Sequence, residues 1–383
     1  MKKKILALVL ALAMVLGLAA CGSSGSGSGS GSQSGSQTSN SDFKVGAIYI
    51  NKKSDTAGYT YAHHTGITKA MKELGMDPEK QLVIVDQVPE DDTQVGAAVD
   101  TLVGEGCSII FGISFGYLNE MEVKAQEYPD VIFSHATGFK SNDTNYNNYF
   151  GRIYQARYLA GIAAGLKTES NVLGYVAAKP YAEVISGYTA FYLGAKSVNP
   201  DVTMLVNYTN EWSDATKEAT NAQALIDQGC DVISQHSDTS APATTAETNG
   251  VFAVGYNDDM ISVAPNAALV SARINWGAYY EYALNCLLAG EAIDQDWCGS
   301  YAEGACYLSD LNEAIIADGT KEAIEAAAAG IADGSIQVFA GPLYGVNADG
   351  EELNLAEGEF YPENETSSAP SFAYIVDGIT VLS

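Results

Sequence analysis

Short apolar runs alternate with longer amphipathic stretches over most of the chain. The runs Val45–Ile50, Leu173–Val176 and Val251–Val254 are short and rich in β-branched residues, which is typical of buried strands. Between such runs, apolar residues recur at helical spacing, as they do over Tyr154–Leu166. This alternation predicts an α/β fold in which parallel sheets carry helices on both faces.

The same succession of elements occurs twice. A Gly-Tyr-Thr helix start follows an apolar run at Gly58 and again at Gly187. Farther along each half, a helix end, a glycine stop and a buried strand follow one another, over 101–110 and over 224–233. The duplication predicts two doubly wound, parallel-sheet lobes joined by a hinge. Their carboxyl-terminal strand ends would face each other across a ligand cleft.

The boundaries follow from the repeat. We place the first lobe at 43–150 and the second lobe at 171–270. The helix within 151–170 is expected to return to the first lobe before the chain crosses to the second. Residues 271–383 are expected to supply the hinge crossings and a C-terminal segment that packs on both lobes, with a turn at Asn347–Gly350.

The first 42 residues are typical of export. Three lysines at positions 2–4, an apolar run over 5–18 and the sequence Leu-Ala-Ala-Cys ending at Cys21 predict a lipoprotein signal peptide over 1–21, with Cys21 as the lipidated N-terminus. Two acyl chains on this cysteine would be enough for stable anchoring. Residues 22–42 are mostly Gly, Ser, Gln and Thr, which predicts a flexible tether. We expect an extracytoplasmic protein that is anchored to the outer face of the cell membrane.

Charge and cysteine content narrow the possible partners. With 19 Lys+Arg against 47 Asp+Glu and a net charge of −28, nucleic acid is excluded as a partner. Cys107 and Cys230 precede apolar strands and are expected to be buried, whereas Cys298 and Cys306 could form a disulfide, an option that also stays open for Cys286. No metal-ligand spacing or phosphate-binding loop occurs, so we expect no cofactor.

Candidate binding residues follow the predicted strands. Flat aromatic faces beside amide and carboxylate groups suit a planar heterocycle, and we expect Tyr61 and Trp212 to face each other from opposite lobes. Asp238 and Asp258 could accept hydrogen bonds from the ligand, or could instead cap the next helix. The candidate set comprises Tyr59, Tyr61, Ser114, Phe115, His135, Trp212, Gln235, Asp238, Asn257, Asp258 and Trp276.

Five runs of the chain, taken together at their spacings, form a specific pattern: Tyr59–His63, Ser114–Tyr117, Pro129–Gly138, Gln235–Asp238 and Asn257–Met260. In these runs the chain resembles the basic membrane protein family of ABC-transporter substrate-binding lipoproteins. The resemblance implies a type I periplasmic-binding-protein-like fold, ABC permease and ATPase partners, and a purine base or purine nucleoside as the ligand. His135 stands where the nucleoside-binding branch carries Asp, and Tyr59-Thr60 stand where it carries Phe and Asn. These departures put a ribose site in question.

Two other functions must be weighed. Gly112-Ile113-Ser114-Phe115-Gly116 spells the Gly-x-Ser-x-Gly pattern of serine hydrolases. His135 follows it too soon, and His236 has no acid partner in the required order, so we expect no enzyme. A lipoprotein sensor with the same fold could use the same cleft. We expect a monomer whether the protein serves an importer or acts as a sensor.

Overall fold

The computed structural model describes residues 43–364 and 367–382. The predicted signal peptide, tether and Cys21 lie outside these residues. Within the described part of the chain, no helix is long and apolar enough to cross a membrane.

The first lobe is built on a parallel sheet. Its strands and helices alternate as the apolar pattern predicts, and the five strands that precede residue 152 pair in the order β2-β1-β3-β4-β5. Every residue of β1 and β3 is buried, because helices cover both faces of the sheet. The elements are β1 Val45–Tyr49, α1 Gly58–Glu73, α2 Pro78–Gln81, β2 Leu82–Val85, α3 Asp92–Gly104, β3 Ile109–Ile113, α4 Leu118–Glu127, β4 Ile132–Ala136 and β5 Tyr146–Gly151.

The second lobe repeats this arrangement. Its strands pair in the equivalent order, β7-β6-β8-β9-β10, so the predicted duplication and the type I periplasmic-binding-protein-like fold are confirmed. The elements are α5 Ile153–Lys167, β6 Val172–Ala177, α6 Ala182–Val198, β7 Thr203–Tyr208, α7 Ala215–Asp227, β8 Val232–His236, α8 Ala241–Asn249, β9 Phe252–Tyr256 and β10 Ala268–Ile274.

The expected return of the helix within 151–170 to the first lobe is wrong. Helix α5 packs against α6 and β10 of the second lobe. Helix α5 can pack closely on α6 because it carries glycine at the contact: a Cβ at Gly161 would overlap the Phe191 carbonyl oxygen on α6. The amphipathic stripe predicts a buried face but carries no information about which lobe covers it.

The chain returns to the first lobe through a later helix. Helix α9, Trp276–Ala289, packs against α1, and the two helices approach closely where Gly66 of α1 faces the Gly277 nitrogen. Strand β11, Asp296–Gly299, then joins the first sheet beside β5, and β12, Cys306–Leu308, joins the second sheet antiparallel to β10. The stretch 271–308 therefore connects the two sheets.

The C-terminal segment adds a helix and a small sheet. The predicted turn at Asn347–Gly350 closes an antiparallel hairpin, and the last strand pairs with β7 of the second lobe. All five cysteines in the described residues are free thiols, so the possible disulfide is absent from this structure. The elements are α10 Thr320–Asp333, β13 Leu343–Val346, β14 Glu352–Leu355, β15 Ile375–Val376 and β16 Ile379–Val381.

Candidate ligand site between the lobes

A cavity lies between the carboxyl-terminal strand ends of the two lobes. The space among its lining atoms, open solvent included, is about 350 Å³. We call it the interlobe cavity. Its lining residues are Ile50, Tyr59, Ser114, Phe115 and Thr137 from the first lobe, and Glu183, Trp212, His236, Asp238 and Tyr256 from the second.

The two lobes touch at the start of α1. Gly58 has a φ of +85°, and a Cβ at this position would overlap the main-chain carbonyl oxygen of Asp238. Only glycine adopts this backbone conformation without strain and also leaves room for the opposite lobe. The first helix of lobe one therefore begins against the Asp238 loop, the segment that follows β8 in lobe two.

An ion pair also joins the lobes beside the cavity. Glu90 of the first lobe accepts hydrogen bonds from the Ser114 hydroxyl at 2.7 Å and from the Gly116 amide at 2.9 Å. Its other oxygen lies 3.0 Å from the Lys179 ammonium of the second lobe. Although burial alone would raise the pKa of Glu90, these three donors hold it below its ordinary value.

Aromatic rings from both lobes surround the cavity. The Phe115 ring lies 5.3 Å from that of Tyr181, which in turn lies 6.0 Å from that of Trp212. The Trp212 main-chain oxygen accepts a hydrogen bond from the Asp238 amide at 2.9 Å, which joins the main chain at Trp212 to the Asp238 loop. The Trp212 indole N–H is buried and has no protein partner, so it is available to a ligand.

Carboxyl groups from the second lobe face the same space. The Asn257 amide donates to Asp238 at 3.1 Å. Burial, reinforced by repulsion from Glu218 and Glu183, raises the pKa of Asp238 well above its ordinary value. Glu183, on the first turn of α6, lies 3.4 Å from the Nε2 atom of His236, and burial raises its pKa to about 8. Burial and the nearby Arg157 keep the pKa of His236 low, so this imidazole is neutral.

Five of the eleven candidate residues line the interlobe cavity. They are Tyr59, Ser114, Phe115, Trp212 and Asp238. Tyr61 does not line it, so the expected pairing of Tyr61 with Trp212 is not what the structure brings together. Phe115 and Tyr59 supply the first-lobe rings instead.

The other candidates support the site or lie away from it. His135 is buried, with its Nε2 2.8 Å from the Ser114 carbonyl oxygen, and burial lowers its pKa to about 4. Gln235 donates to the main chain of Ser237 and Thr239 and so shapes the Asp238 loop. Asn257 holds the Asp238 carboxylate, as described above. These three side chains position the residues that line the cavity.

Asp258 and Trp276 do not line the cavity, and each contacts another side chain of the protein. Asp258 lies 3.2 Å from the Arg273 guanidinium and does not line the cavity. Trp276 is 2% exposed and stacks on His63, with ring centroids 3.9 Å apart. This pair lies where α1 and α9 pack together.

Sequence reasoning missed half of the lining. Ile50, Thr137, Glu183, His236 and Tyr256 were not among the candidates. Four of the five lie within one residue of a strand end, and a strand-end rule applied one position earlier or later would have found them. Glu183 lies on a helix and has no such signal.

The arrangement around Ser114 is not that of a hydrolase. Its hydroxyl donates to Glu90, while His135 contacts its main-chain oxygen rather than its side chain. The Ser-His-Asp triad requires a histidine base on the serine hydroxyl. Within the residues that the structure describes, no group of three or more His, Cys, Asp or Glu side chains could hold a metal ion.

The comparisons with known proteins agree with this geometry. Residues 43–324 match the family model named Bmp, described as ABC transporter substrate-binding protein PnrA-like. The chain belongs to this family. It is a substrate-binding protein of the ABC transporter type and not an enzyme.

Individual relatives carry different ligand names. The chain is 35% identical to a purine-binding protein of Brucella abortus, over 78% of this chain and 84% of that protein. It is 36% identical to a Haloferax volcanii protein that is named as an ABC transporter glucose-binding protein, over 69% and 66% of the two chains. Among solved structures, an ABC transporter solute-binding protein from Aeropyrum pernix superposes with a TM-score of 0.66 at 18% identity, covering 78% of this chain and 93% of that one. That likeness supports the fold.

Proposed function

We propose that the protein is the extracytoplasmic receptor of an ABC importer and that it captures a purine base or purine nucleoside between its lobes. It would act as a monomer that delivers the ligand to a permease powered by an ATPase. The family assignment supports the transport role, and the Brucella abortus relative supports the ligand class.

The observation that carries the purine proposal is the lining of the interlobe cavity. Aromatic rings from both lobes offer faces on which a planar base can stack, which contributes about 1–3 kcal/mol per base in nucleic-acid binders. Buried carboxyl groups at the second-lobe side can pair with ring and exocyclic nitrogens.

The same lining disfavours a sugar. A sugar presents hydroxyl groups around its whole rim and needs polar partners on every side. In the first-lobe half of the cavity, Ile50, Tyr59 and Phe115 offer large hydrophobic surfaces, and the Ser114 hydroxyl already donates to Glu90. Among the lining residues, the buried polar atoms without a hydrogen-bond partner are the Tyr59 hydroxyl in the first lobe and the ring nitrogens of Trp212 and His236 in the second.

A thermal-shift screen of the purified protein tests the ligand class. Adenine, guanine, hypoxanthine, adenosine and glucose are each added over a range of concentrations. A bound ligand at 100 times its Kd adds about 2.7 kcal/mol of stability, so we expect at least one purine to raise the melting temperature by several degrees. Stabilisation by glucose and by no purine would overturn the proposal.

We also propose that Cys21 carries the lipid anchor. The basic start, the apolar run and the Leu-Ala-Ala-Cys sequence support it. In cells that express the protein, Cys21→Ser should release it from the membrane fraction or leave it uncleaved. Membrane retention and processing identical to those of the unaltered protein would contradict the anchor.

A further inference from the structure

Glu183 is a buried acid in the interlobe cavity that the sequence motifs do not mark. It extends from the first turn of α6, its side chain is 11% exposed, and it lines the cavity beside Asp238 and His236. No main-chain amide, hydroxyl or ammonium group in the described residues donates a hydrogen bond to it at short range. Its Oε1 atom lies 3.4 Å from His236 Nε2.

The groups that face Glu183 do not compensate a negative charge. His236 is neutral, Tyr59 and Tyr256 are uncharged, the charge of Glu90 repels it, and Asp238 is a second buried acid whose own pKa is raised. Lys179 is paired with Glu90.

Arg157 is a cation whose charge acts on Glu183, and its Nε and Nη2 atoms have no hydrogen-bond partner among the described residues. It donates to the Tyr175 hydroxyl and to the Gln235 carbonyl, and its guanidinium carbon lies 4.0 Å from the Tyr256 ring centroid. Its charge lowers the pKa of Glu183 somewhat, but no hydrogen bond joins the two.

Two carboxyl groups that share one desolvated cavity do not both ionise readily. Burial raises the pKa of both groups, and they differ in hydrogen bonding, because Asn257 donates to Asp238 at 3.1 Å whereas no such donor in the described part of the chain reaches Glu183. Glu183, which lacks a hydrogen-bond donor there to support a negative charge, is therefore expected to be protonated when the lobes are in contact.

We propose that Glu183 is a specificity-determining residue that meets the ligand as a neutral carboxylic acid and donates a hydrogen bond to an unprotonated ring nitrogen or a carbonyl oxygen. This inference rests on the proposed function of the site. A carboxylate could only accept hydrogen bonds. A neutral acid both donates and accepts, so it can bind a heterocycle edge that carries a bare acceptor.

The consequence is a coupling between ligand capture and proton uptake. In an open, solvated cleft, the pKa of Glu183 would be near its ordinary value of 4.5, and in the closed cleft it rises to about 8. Closing at a pH between these values takes up a proton. The Kd should therefore rise with pH by up to about tenfold per unit across that window and level off above it.

Calorimetric titration with adenine at pH 7 in phosphate and in Tris buffers measures this coupling, because adenine itself does not titrate near neutral pH. We expect Glu183 to contribute close to one proton per adenine to the uptake, and the Kd to rise between pH 6 and 8. In Glu183→Gln, whose amide also donates at every pH, adenine should bind with close to one proton fewer taken up and with a correspondingly weaker pH dependence of the Kd. Asp238→Asn is the matched control and should retain the contribution of Glu183 in whatever binding remains.

The outcomes are separable. Unaltered proton uptake in Glu183→Gln, or loss of adenine binding in a Glu183→Gln protein that still melts normally, would overturn the inference. Adenine binding by the unaltered protein without any proton uptake would do so as well, even if the glutamine variant did not fold. Failure of every purine to bind the unaltered protein would overturn the proposed function together with this inference.

Discussion

Two tryptophans of this chain occupy opposite environments. Trp212 is half-buried, lines the interlobe cavity and keeps its indole N–H without a protein partner. Trp276 is 2% exposed and stacks on His63 between α1 and α9. Both follow a predicted strand in the sequence, yet we expect only Trp212 to contribute to affinity.

Trp212→Ala should weaken purine binding without unfolding the protein. Loss of a stacking ring is worth about 1–3 kcal/mol, which corresponds to a rise in Kd of roughly five- to a hundred-fold. Trp212→Phe should lose less. Calorimetric titration with adenine, alongside ligand-free melting curves, measures both quantities, and unchanged affinity for every purine would remove Trp212 from the site.

Trp276→Ala is the contrasting variant. Removal of a large buried ring costs about 3–5 kcal/mol of folding free energy, so its ligand-free melting temperature should fall by many degrees. A similar loss of stability in Trp212→Ala would contradict the different roles assigned to the two residues.

At the residue scale, the sequence predicts where the strands end, but it does not predict which side chain at a strand end faces the ligand. Trp212 and Asp238 were found because they follow strands. Tyr256 and His236, the last residues of β9 and β8, were missed beside the candidates Asn257 and Gln235. Strand pleating and the turn that follows decide which neighbour faces the cavity. At Asn257, φ is +65°, a conformation that the sequence does not reveal.

At the element scale, the start of α1 determines how closely the lobes can approach. Gly58→Ala should hinder closure because its new methyl group would meet the Asp238 carbonyl oxygen. We expect a Kd for adenine about tenfold higher or more, together with a loss of about 1–2 kcal/mol in stability from backbone strain.

Gly75→Ala is the matched control for that variant. Gly75 lies just after the same helix with a φ of +74°, and a Cβ there would meet nothing within 4 Å. It should show the same strain in melting curves and an unchanged Kd. Equal affinities for the two variants would show that Gly58 does not limit closure.

The Lys179–Glu90 ion pair is a second contact between the lobes, and it joins the segments that follow β2 and β6. Lys179→Met removes it and leaves a Glu90 side chain that is only 19% exposed. After allowance for solvent screening, we expect a loss of about 1–2 kcal/mol in binding free energy, which corresponds to a roughly five- to thirty-fold rise in Kd. The rise should appear mainly as faster release of the ligand.

Lys217→Met is the control for the ion pair. Lys217 pairs with Glu211 within the second lobe, and both side chains are about half exposed, so its loss should change the Kd by less than about twofold. Stopped-flow measurement of adenine release compares the two variants. Equal release rates would contradict a role for Lys179 in holding the lobes together.

Neither contact could be predicted from the sequence. Glu90 follows β2 and Lys179 follows β6, and no local pattern relates a residue of one lobe to a residue of the other. The Gly-Tyr-Thr motif at Gly58 predicts a helix start but not the carbonyl group that it meets.

At the scale of the whole molecule, the duplicated sequence predicts the architecture well. Two sheets with the same strand order follow directly from the repeated alternation of buried strands and helices. The allocation of α5 was wrong because helix packing is decided by shape, here by Gly161 against the Phe191 carbonyl. Contacts that bring the lobes together depend on the hinge, and hinge geometry has no periodic signal.

A crystal structure of the protein grown with adenine shows directly whether the interlobe cavity is the ligand site. We expect one base in the interlobe cavity, with its ring face against Trp212 and its polar edge within hydrogen-bond distance of Asp238 and Glu183. Adenine bound elsewhere on the molecule, for example in the open groove between Arg152 and Tyr361, with the interlobe cavity occupied by water alone, would contradict this expectation.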